Sequence, residues 1–194
     1  EAPREEPPRE PRPAREADDP VLITINTATG AGTSIGSLNL EGEAASEITI
    51  GADGTLYGWL EPSSDDLIHV HYKNFEAVPT IDEVKHAIVK EALRMHKIER
   101  PIAISFKADT PAGTGLGSSG ACAVAVHRGI AEFLRKSMTN REAAGQSFIL
   151  TRRLGLPDGV GDPYVCAEGG FVALDIAPDG MVTVRRPRFS RETI

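Results

Sequence analysis

Cysteine is nearly absent from this chain. The two that occur, Cys122 and Cys166, stand far apart with no Cys-x-x-Cys pair and no Cys/His cluster around them. Such spacing indicates neither a zinc site nor a disulfide framework, and a reducing, cytoplasmic setting is expected. Basic residues are also short: 21 Lys and Arg stand against 28 Asp and Glu, a net charge of −7. That balance gives no general grip on nucleic-acid polymers or on a membrane of anionic lipid, both of which need a basic face. No apolar run approaches the roughly 18 residues of a membrane span, and the N-terminus lacks the apolar centre of a signal peptide. The first methionine is Met95, so the chain is expected to have been processed, trimmed or read from an incomplete frame. With 194 residues it is long enough for one ordinary domain, or for part of a larger one, and a domain of this size needs no staple.

What is present divides unevenly. Glu1 to Pro20 hold six Pro, five Glu, two Asp and four Arg, with alanine as the only apolar residue. Such a stretch cannot offset its ordering entropy by burial and is expected to be a disordered tail. Val21 to Ile25 is β-branched and reads as a strand, followed by the glycine-rich segment from Gly30 to Gly36. Ile48 to Ile50, Ala52-Asp53-Gly54 and Leu56 to Leu60 have the form of a hairpin with an Asp-Gly turn. Leu67 to Tyr72 is a further strand. Thr80-x-x-Glu83 is a capping box, predicting a helix along Ile81, Val84, Ile88, Ala92 and Met95 that ends near Lys97. Pro101 to Lys107 alternates as a strand with one buried face. Ala121 to Leu134 predicts an apolar helix, and Thr139-x-x-Glu142 caps another that runs to about Leu154. Phe171 to Ile176 and Met181 to Val184 close as a hairpin. Hairpins with segregated helices describe an α+β two-layer sandwich rather than regular βαβ alternation.

The chemistry concentrates at Pro111-Ala112-Gly113-Thr114-Gly115-Leu116-Gly117-Ser118-Ser119-Gly120, between a strand and an apolar helix. Glycines let a backbone approach a ligand, consecutive N–H groups cradle an anion, and a helix N-terminus adds partial positive charge. Phosphate is the natural guest, with the Ser118 and Ser119 hydroxyls able to bond its oxygens or ligate Mg²⁺. A glycine turn with serine caps is the plain structural alternative. Gly115-x-Gly117-x-x-Gly120 also fits a dinucleotide site, but a second helix follows where that site needs a strand ending in an acid. No Lys-Ser or Lys-Thr follows the glycines, which excludes a Walker loop.

The segment resembles the second motif of the GHMP kinases, the superfamily named for galactokinase, homoserine kinase, mevalonate kinase and phosphomevalonate kinase. That motif has the form Pro-x-x-x-Gly-Leu-Gly-Ser-Ser, and Pro111, Gly115, Leu116, Gly117, Ser118 and Ser119 match each fixed position. Thr80 to Val84, Ala112 to Gly115, Leu154-Gly155 and Glu168-Gly169-Gly170-Phe171 extend the likeness to sugar-phosphate kinases of the D-glycero-D-manno-heptose 7-phosphate kinase type. The resemblance implies the ribosomal protein S5 domain 2-like sandwich, with residues 21–194 as the N-terminal ATP-binding domain. It implies transfer of the γ-phosphoryl of ATP to a hydroxyl of a sugar or sugar phosphate, with Mg²⁺. Pro111, Gly113, Gly115, Leu116, Gly117, Ser118 and Ser119 would hold the triphosphate, and Ser119 would approach the metal.

In this family a catalytic Asp precedes a Gly-Gly pair by seven positions, a place that Asp162 holds before Gly169-Gly170. The residues alone put Asp158 and Asp162 in a Gly/Pro-rich loop, where a carboxylate can accept a hydroxyl proton or simply form an Asx turn before Pro163. Three features depart from the family pattern. Leu150 and Thr151 stand where the second magnesium ligand, a Glu, would fall; Pro163 replaces a polar residue; and Gly36 to Ala44 matches the first motif only partly. The third motif belongs to a C-terminal domain that is expected to be absent here, so the resemblance implies one half of a kinase. Self-association, or a separate chain supplying the other half, is the corresponding expectation, and a degenerate nucleotide-binding or protein-interaction module is the alternative to an enzyme. Elsewhere, His69 and His71 share a strand face as a solvated pair or two metal ligands without a third. Cys122 is a packing residue or an activated thiol. Arg152-Arg153 and Arg185-Arg186 are solvated or meet a phosphate.

Overall fold

The computed structural model describes residues 21–26, 32–37, 55–108, 117–156, 159–169 and 172–186. The Glu1 to Pro20 tail and the 38–54 stretch, with most of the first-motif candidate, lie outside them. Six strands form one sheet: β1 (Val21–Asn26), β2 (Gly32–Ser37), β3 (Thr55–Pro62), β4 (Ile68–His71), β5 (Phe75–Val78) and β6 (Ile102–Ala108), in the order β2-β1-β3-β6-β4-β5. All neighbours are antiparallel except β4 and β6, which pair in parallel from His69 opposite Ala103 to His71 opposite Ser105. A parallel pair cannot be joined by a tight turn. Here β5 and the helix α1 (Ala87–Met95) fill the crossover.

Three further helices, α2 (Ser118–Phe133), α3 (Asn140–Arg153) and α4 (Gly161–Glu168), complete the second layer, and β7 (Ala173–Ile176) pairs with β8 (Val182–Arg185) as a separate hairpin. The helix α2 is central. It packs on β1 and β3 and against α1, α3 and α4, and 12 of its 16 residues are buried. Gly and Ala at 120, 121, 123, 125, 129 and 131 keep its surface low, which lets neighbours approach from several sides. Leu60, Val70, Ile102 and Ile104 from the sheet join Val89 and Leu93 of α1 and Ala123, Val124 and Ile130 of α2 in one core cluster. Burying each large side chain is worth about 1.5–3 kcal/mol. The architecture is the expected α+β arrangement of a sheet covered by helices.

Several elements differ from expectation for identifiable reasons. Both edges of β3 are taken, by β1 and β6, which leaves no edge for the expected hairpin with Ile48 to Ile50. The strand β5, not foreseen, pairs with β4. The Thr80 capping box closes only a 3₁₀ turn at Ile81–Glu83, with the Thr80 hydroxyl bonded to Glu83 Oε1 at 2.8 Å. Helix formation is delayed because the buried Glu76 carboxylate accepts the amides of Lys85 at 2.6 Å and His86 at 3.1 Å. Those bonds hold the chain outside a helix, and α1 starts at Ala87, capped by His86 Nδ1 accepting from the Val89 amide. The Thr139 box, by contrast, forms both reciprocal bonds and opens α3. Asp162 is in the first turn of α4, not in a loop.

Candidate functional site at the paired helix N-termini

Of the seven residues expected to cradle phosphate, Gly117, Ser118 and Ser119 are described; Pro111, Gly113, Gly115 and Leu116 lie outside the described residues, as does Asp158. Gly117 caps α2 in the left-handed region, φ +71° and ψ +21°, and supplies no side chain to the first amides. An L side chain there costs about 1–2 kcal/mol. Ser118 and Ser119 occupy the first turn, half-buried. The α4 N-terminus, beginning after Val160, likewise has no side-chain cap. Asp162 and the buried Pro163 stand in its first turn, where proline's missing N–H leaves no helical bond unmade.

These two termini meet. A methyl built on Gly120 would come within 3.0 Å of Asp162 Cβ and 3.2 Å of its carbonyl carbon, and one on Gly117 would lie 3.7 Å from Asp162 Cγ. The absence of side chains at 117 and 120 is what lets the Asp162 turn rest on the start of α2. Further along, Arg128 of α2 donates to the Ala167 carbonyl near the α4 C-terminus at 3.2 Å. The two helices therefore run parallel with their N-termini side by side. Each terminus carries about half a positive charge on amides without helical partners. Asp162 places one negative charge among them, about equal to the two half-charges together, so an anion bound there would need a cation beside it.

The remaining candidates are dispersed. Leu150 and Thr151 are fully buried in α3, and the Thr151 hydroxyl donates to the Phe148 carbonyl at 3.1 Å. Among the described residues no group of three His, Cys, Asp or Glu is placed to hold a metal. The oxygens near the α2 terminus, those of Ser118, Ser119 and Asp162, are of the hard kind that magnesium takes. Magnesium usually keeps several waters and binds through one or two protein groups plus substrate phosphates, so this donor set fits it. His69 Nε2 bonds Asp65 at 2.8 Å, and both His69 and His71 pack against Phe75. Cys122 is buried, which pushes its thiol up to about 12 and makes it a packing residue. Arg153 pairs with Glu91 at 2.8 Å, Arg185 with Asp175 at 2.6 Å and Arg186 with Glu168 at 3.0 Å. An open groove of about 500 Å³ runs along α1, lined by Asp82, Lys90, Glu91, Arg94 and Leu154, but shares no residue with the α2 terminus. Its Arg94 and Asp82 neutralise one another at 2.5 Å.

Two features escaped the sequence reading. Gly120 matters because of the α4 backbone it meets, which no local pattern encodes. Arg128 carried a faint signal, as a charge inside the apolar run from Ala121 to Leu134.

Comparison with known proteins converges on the same region. Residues 83–170, which span the α2 terminus and Asp162, match the sequence model of the family described as GHMP kinases N terminal domain. A mevalonate kinase of Thermococcus gammatolerans is 33% identical over 111 residues, which are 56% of this chain and 33% of that protein. In fold the chain is similar to a D-glycero-D-manno-heptose 1-phosphate kinase from Bacteroides thetaiotaomicron, with a TM-score of 0.63 at 18% identity over 90% of this chain and 60% of that one. It is also similar to the mevalonate kinase of Methanococcus jannaschii, with a TM-score of 0.56 at 15% identity over 89% and 55%. The chain thus spans 33% of the curated relative it matches and 60% or less of these two solved ones. At such identities the structural likeness shows a shared fold. No described helix is long and apolar enough to cross a membrane.

Proposed function

We propose that this chain, whose residues 83–170 are similar to the GHMP kinase N-terminal domain, binds Mg-ATP at the α2 N-terminus and serves phosphoryl transfer to a hydroxyl of a sugar or sugar phosphate, such as heptose 7-phosphate. The observation that carries this reading is the contact of the Asp162 turn with Gly120, which brings a carboxylate to the start of the helix that the Gly-Leu-Gly-Ser-Ser motif opens. Gly113, Gly115, Leu116, Gly117, Ser118 and Ser119 hold the phosphates through backbone amides and hydroxyls, with Pro111, which has no N–H to donate, at the start of the segment, and Ser119 approaches the metal. Bound Mg²⁺ supplies neutralisation of the charge on the phosphates. Asp162 orients the acceptor hydroxyl and takes its proton as the oxygen–phosphorus bond forms, while ADP leaves with the electrons of the broken bond. Stabilising amides fixed before the reaction cost no reorganisation when charge develops.

A second reading is favoured by Leu150 and Thr151, fully buried where the family pattern has a metal-binding Glu. On it, the domain binds nucleotide or a protein partner without turnover. Calorimetric titration of Mg-ATP, beside Ser119→Ala and a magnesium-free control, tests the nucleotide site. Saturable binding weakened in both controls is expected, and a folded sample with no binding overturns it. Phosphoryl transfer to heptose 7-phosphate, assayed with a chain supplying the family's second domain, separates the readings. Asp162→Asn should lower turnover by about 10²–10⁴-fold while leaving nucleotide bound. Self-association, or pairing with such a chain, belongs to the same proposal; a monodisperse monomer at high concentration counts against the first.

A further inference from the structure

The helix α4 has only eight residues, and a helix that short is not stable by its own hydrogen bonds. Its place must come from what holds it. At the N-terminal end the hold is Gly120. At the C-terminal end the unpaired carbonyls are gathered by two guanidinium groups. Arg186 donates to the Glu168 carbonyl at 2.7 Å, the Glu168 carboxylate at 3.0 Å and the Gly169 carbonyl at 3.1 Å. Arg128 donates to the Ala167 carbonyl at 3.2 Å and also to Asn140 Oδ1 at the start of α3. Gly120 and Arg128 lie eight residues, about 12 Å, apart on α2, and the Asp162 and Ala167 that they meet lie five residues, about 7.5 Å, apart on α4. One rigid, buried helix therefore grips the short one at both ends. Arg128 is a costly way to do this: its Nε is buried without a hydrogen-bond partner. An apolar side chain of similar volume would often be as stable or more so, so stability alone does not account for the arginine.

We propose that Arg128 is a positioning residue that, with Gly120, sets where Asp162 stands at the α2 N-terminus. The functional half of this inference rests on the kinase reading above; the mechanical half does not. Arg128→Met and the conservative Arg128→Lys, made in the full chain, test both. Backbone hydrogen exchange across 161–168 should accelerate at least ten-fold in Arg128→Met, less in Arg128→Lys, with the sheet and α1 unchanged and the thermal midpoint nearly so. Phosphoryl transfer, assayed with a chain supplying the family's second domain, should fall in Arg128→Met and recover in part in Arg128→Lys, with Mg-ATP still bound, and Arg128→Met should add nothing in the Asp162→Asn background. Unchanged α4 exchange, or uniform acceleration in every element, overturns the positioning role, as does full additivity with Asp162→Asn. If the wild-type chain binds no Mg-ATP, the nucleotide reading and the functional half fall together, while the exchange result still decides whether Arg128 holds α4.

Discussion

Gly120→Ala tests most directly how Asp162 is seated. Where nothing is touched, replacing glycine by alanine inside a helix gains about 0.5–1 kcal/mol, because glycine loses more backbone freedom on folding. Gly145 of α3 has no atom within 4 Å of an added methyl and meets that condition. Gly145→Ala should therefore raise the thermal midpoint by a few degrees, at about 2–4 °C per kcal/mol for a chain of this size. At Gly120 the same methyl meets Asp162 Cβ at 3.0 Å and backbone atoms of Asp162 and Pro163 at 3.2 Å. Comfortable carbon contacts are about 3.5–4.0 Å, so the start of α4 must retreat by several tenths of an ångström. Two of the three atoms are backbone, and no rotamer change relieves them. Overpacking of this kind costs about 1–3 kcal/mol. Set against the helix gain, the net effect runs from neutral to about 2.5 kcal/mol of destabilisation, and the deficit relative to Gly145→Ala is the full overpacking cost. Urea unfolding of the two variants side by side reads that difference. A displacement near 1 Å at a reacting group costs about 100-fold in rate, so Gly120→Ala should also lose ten-fold or more of any Asp162-dependent transfer while still binding Mg-ATP. A Gly120→Ala chain stabilised as much as Gly145→Ala would refute the contact between α4 and α2, and with it the placement of Asp162.

His127 of α2 is fully buried and shares a 2.8 Å hydrogen bond with His96; burial first, and the His96 charge second, depress its pKa to about 3, against a smaller opposing effect of the Gln146 backbone. The unfolded chain binds this proton below about pH 6.5 and the folded chain does not, so stability should fall as pH drops from 6.5 toward 3, by up to about 1.4 kcal/mol per pH unit. In urea unfolding the advantage of wild type over His127→Leu should shrink through that window; a constant difference would contradict the neutral, buried state of His127. Cys122, with its thiol pushed up to about 12, should resist a thiol reagent at pH 8 and react only at the rate of unfolding, whereas rapid native labelling would place it at the surface. Glu76→Gln leaves an acceptor of two amides and of the Tyr72 hydroxyl with only one oxygen, and should cost about 1.5–3 kcal/mol by chemical denaturation; a neutral result would remove Glu76 as the cause of the late start of α1.

What was legible in the sequence is what local chemistry decides. Thr139 and Glu142 satisfy each other's orphan amides within four residues, so α3 begins where they stand. Ile102 and Ile104 alternate because β6 has one face in the core. Thr80 and Glu83 present the same pattern as Thr139 and Glu142, yet no α-helix starts there, because Glu76 reaches across from β5 and captures the amides of Lys85 and His86. Two identical signatures thus gave different outcomes, and the difference lies in a partner nine and ten residues away in sequence. The same holds for the strand pairs: β3 has the turn signal of a hairpin before it, but β1 and β6 occupy its edges.

The site repeats this division on a finer scale. The glycines and serines from Pro111 to Ser119 read as an anion cradle because the number of bare amides and the start of an apolar helix are local properties. Asp162 was legible only through its distance from Gly169-Gly170, a family spacing, and its setting was misjudged: Gly/Pro composition suggested a loop where Gly161 and Pro163 instead begin a helix. Proline suits a first turn because the missing amide would be unpaired there anyway. Once α4 is a helix, Asp162 stands at its start, and Gly120 ceases to be one more glycine in a pattern. Its hydrogen leaves the space that Asp162 Cβ and the Pro163 nitrogen occupy. A sequence motif can mark a loop suited to phosphate, but the Asp162 carboxylate is placed by a packing contact about forty residues along the chain, between two residues that no local rule connects. For that reason Gly120 and Arg128, rather than the serines, are where substitutions should separate nucleotide binding from turnover.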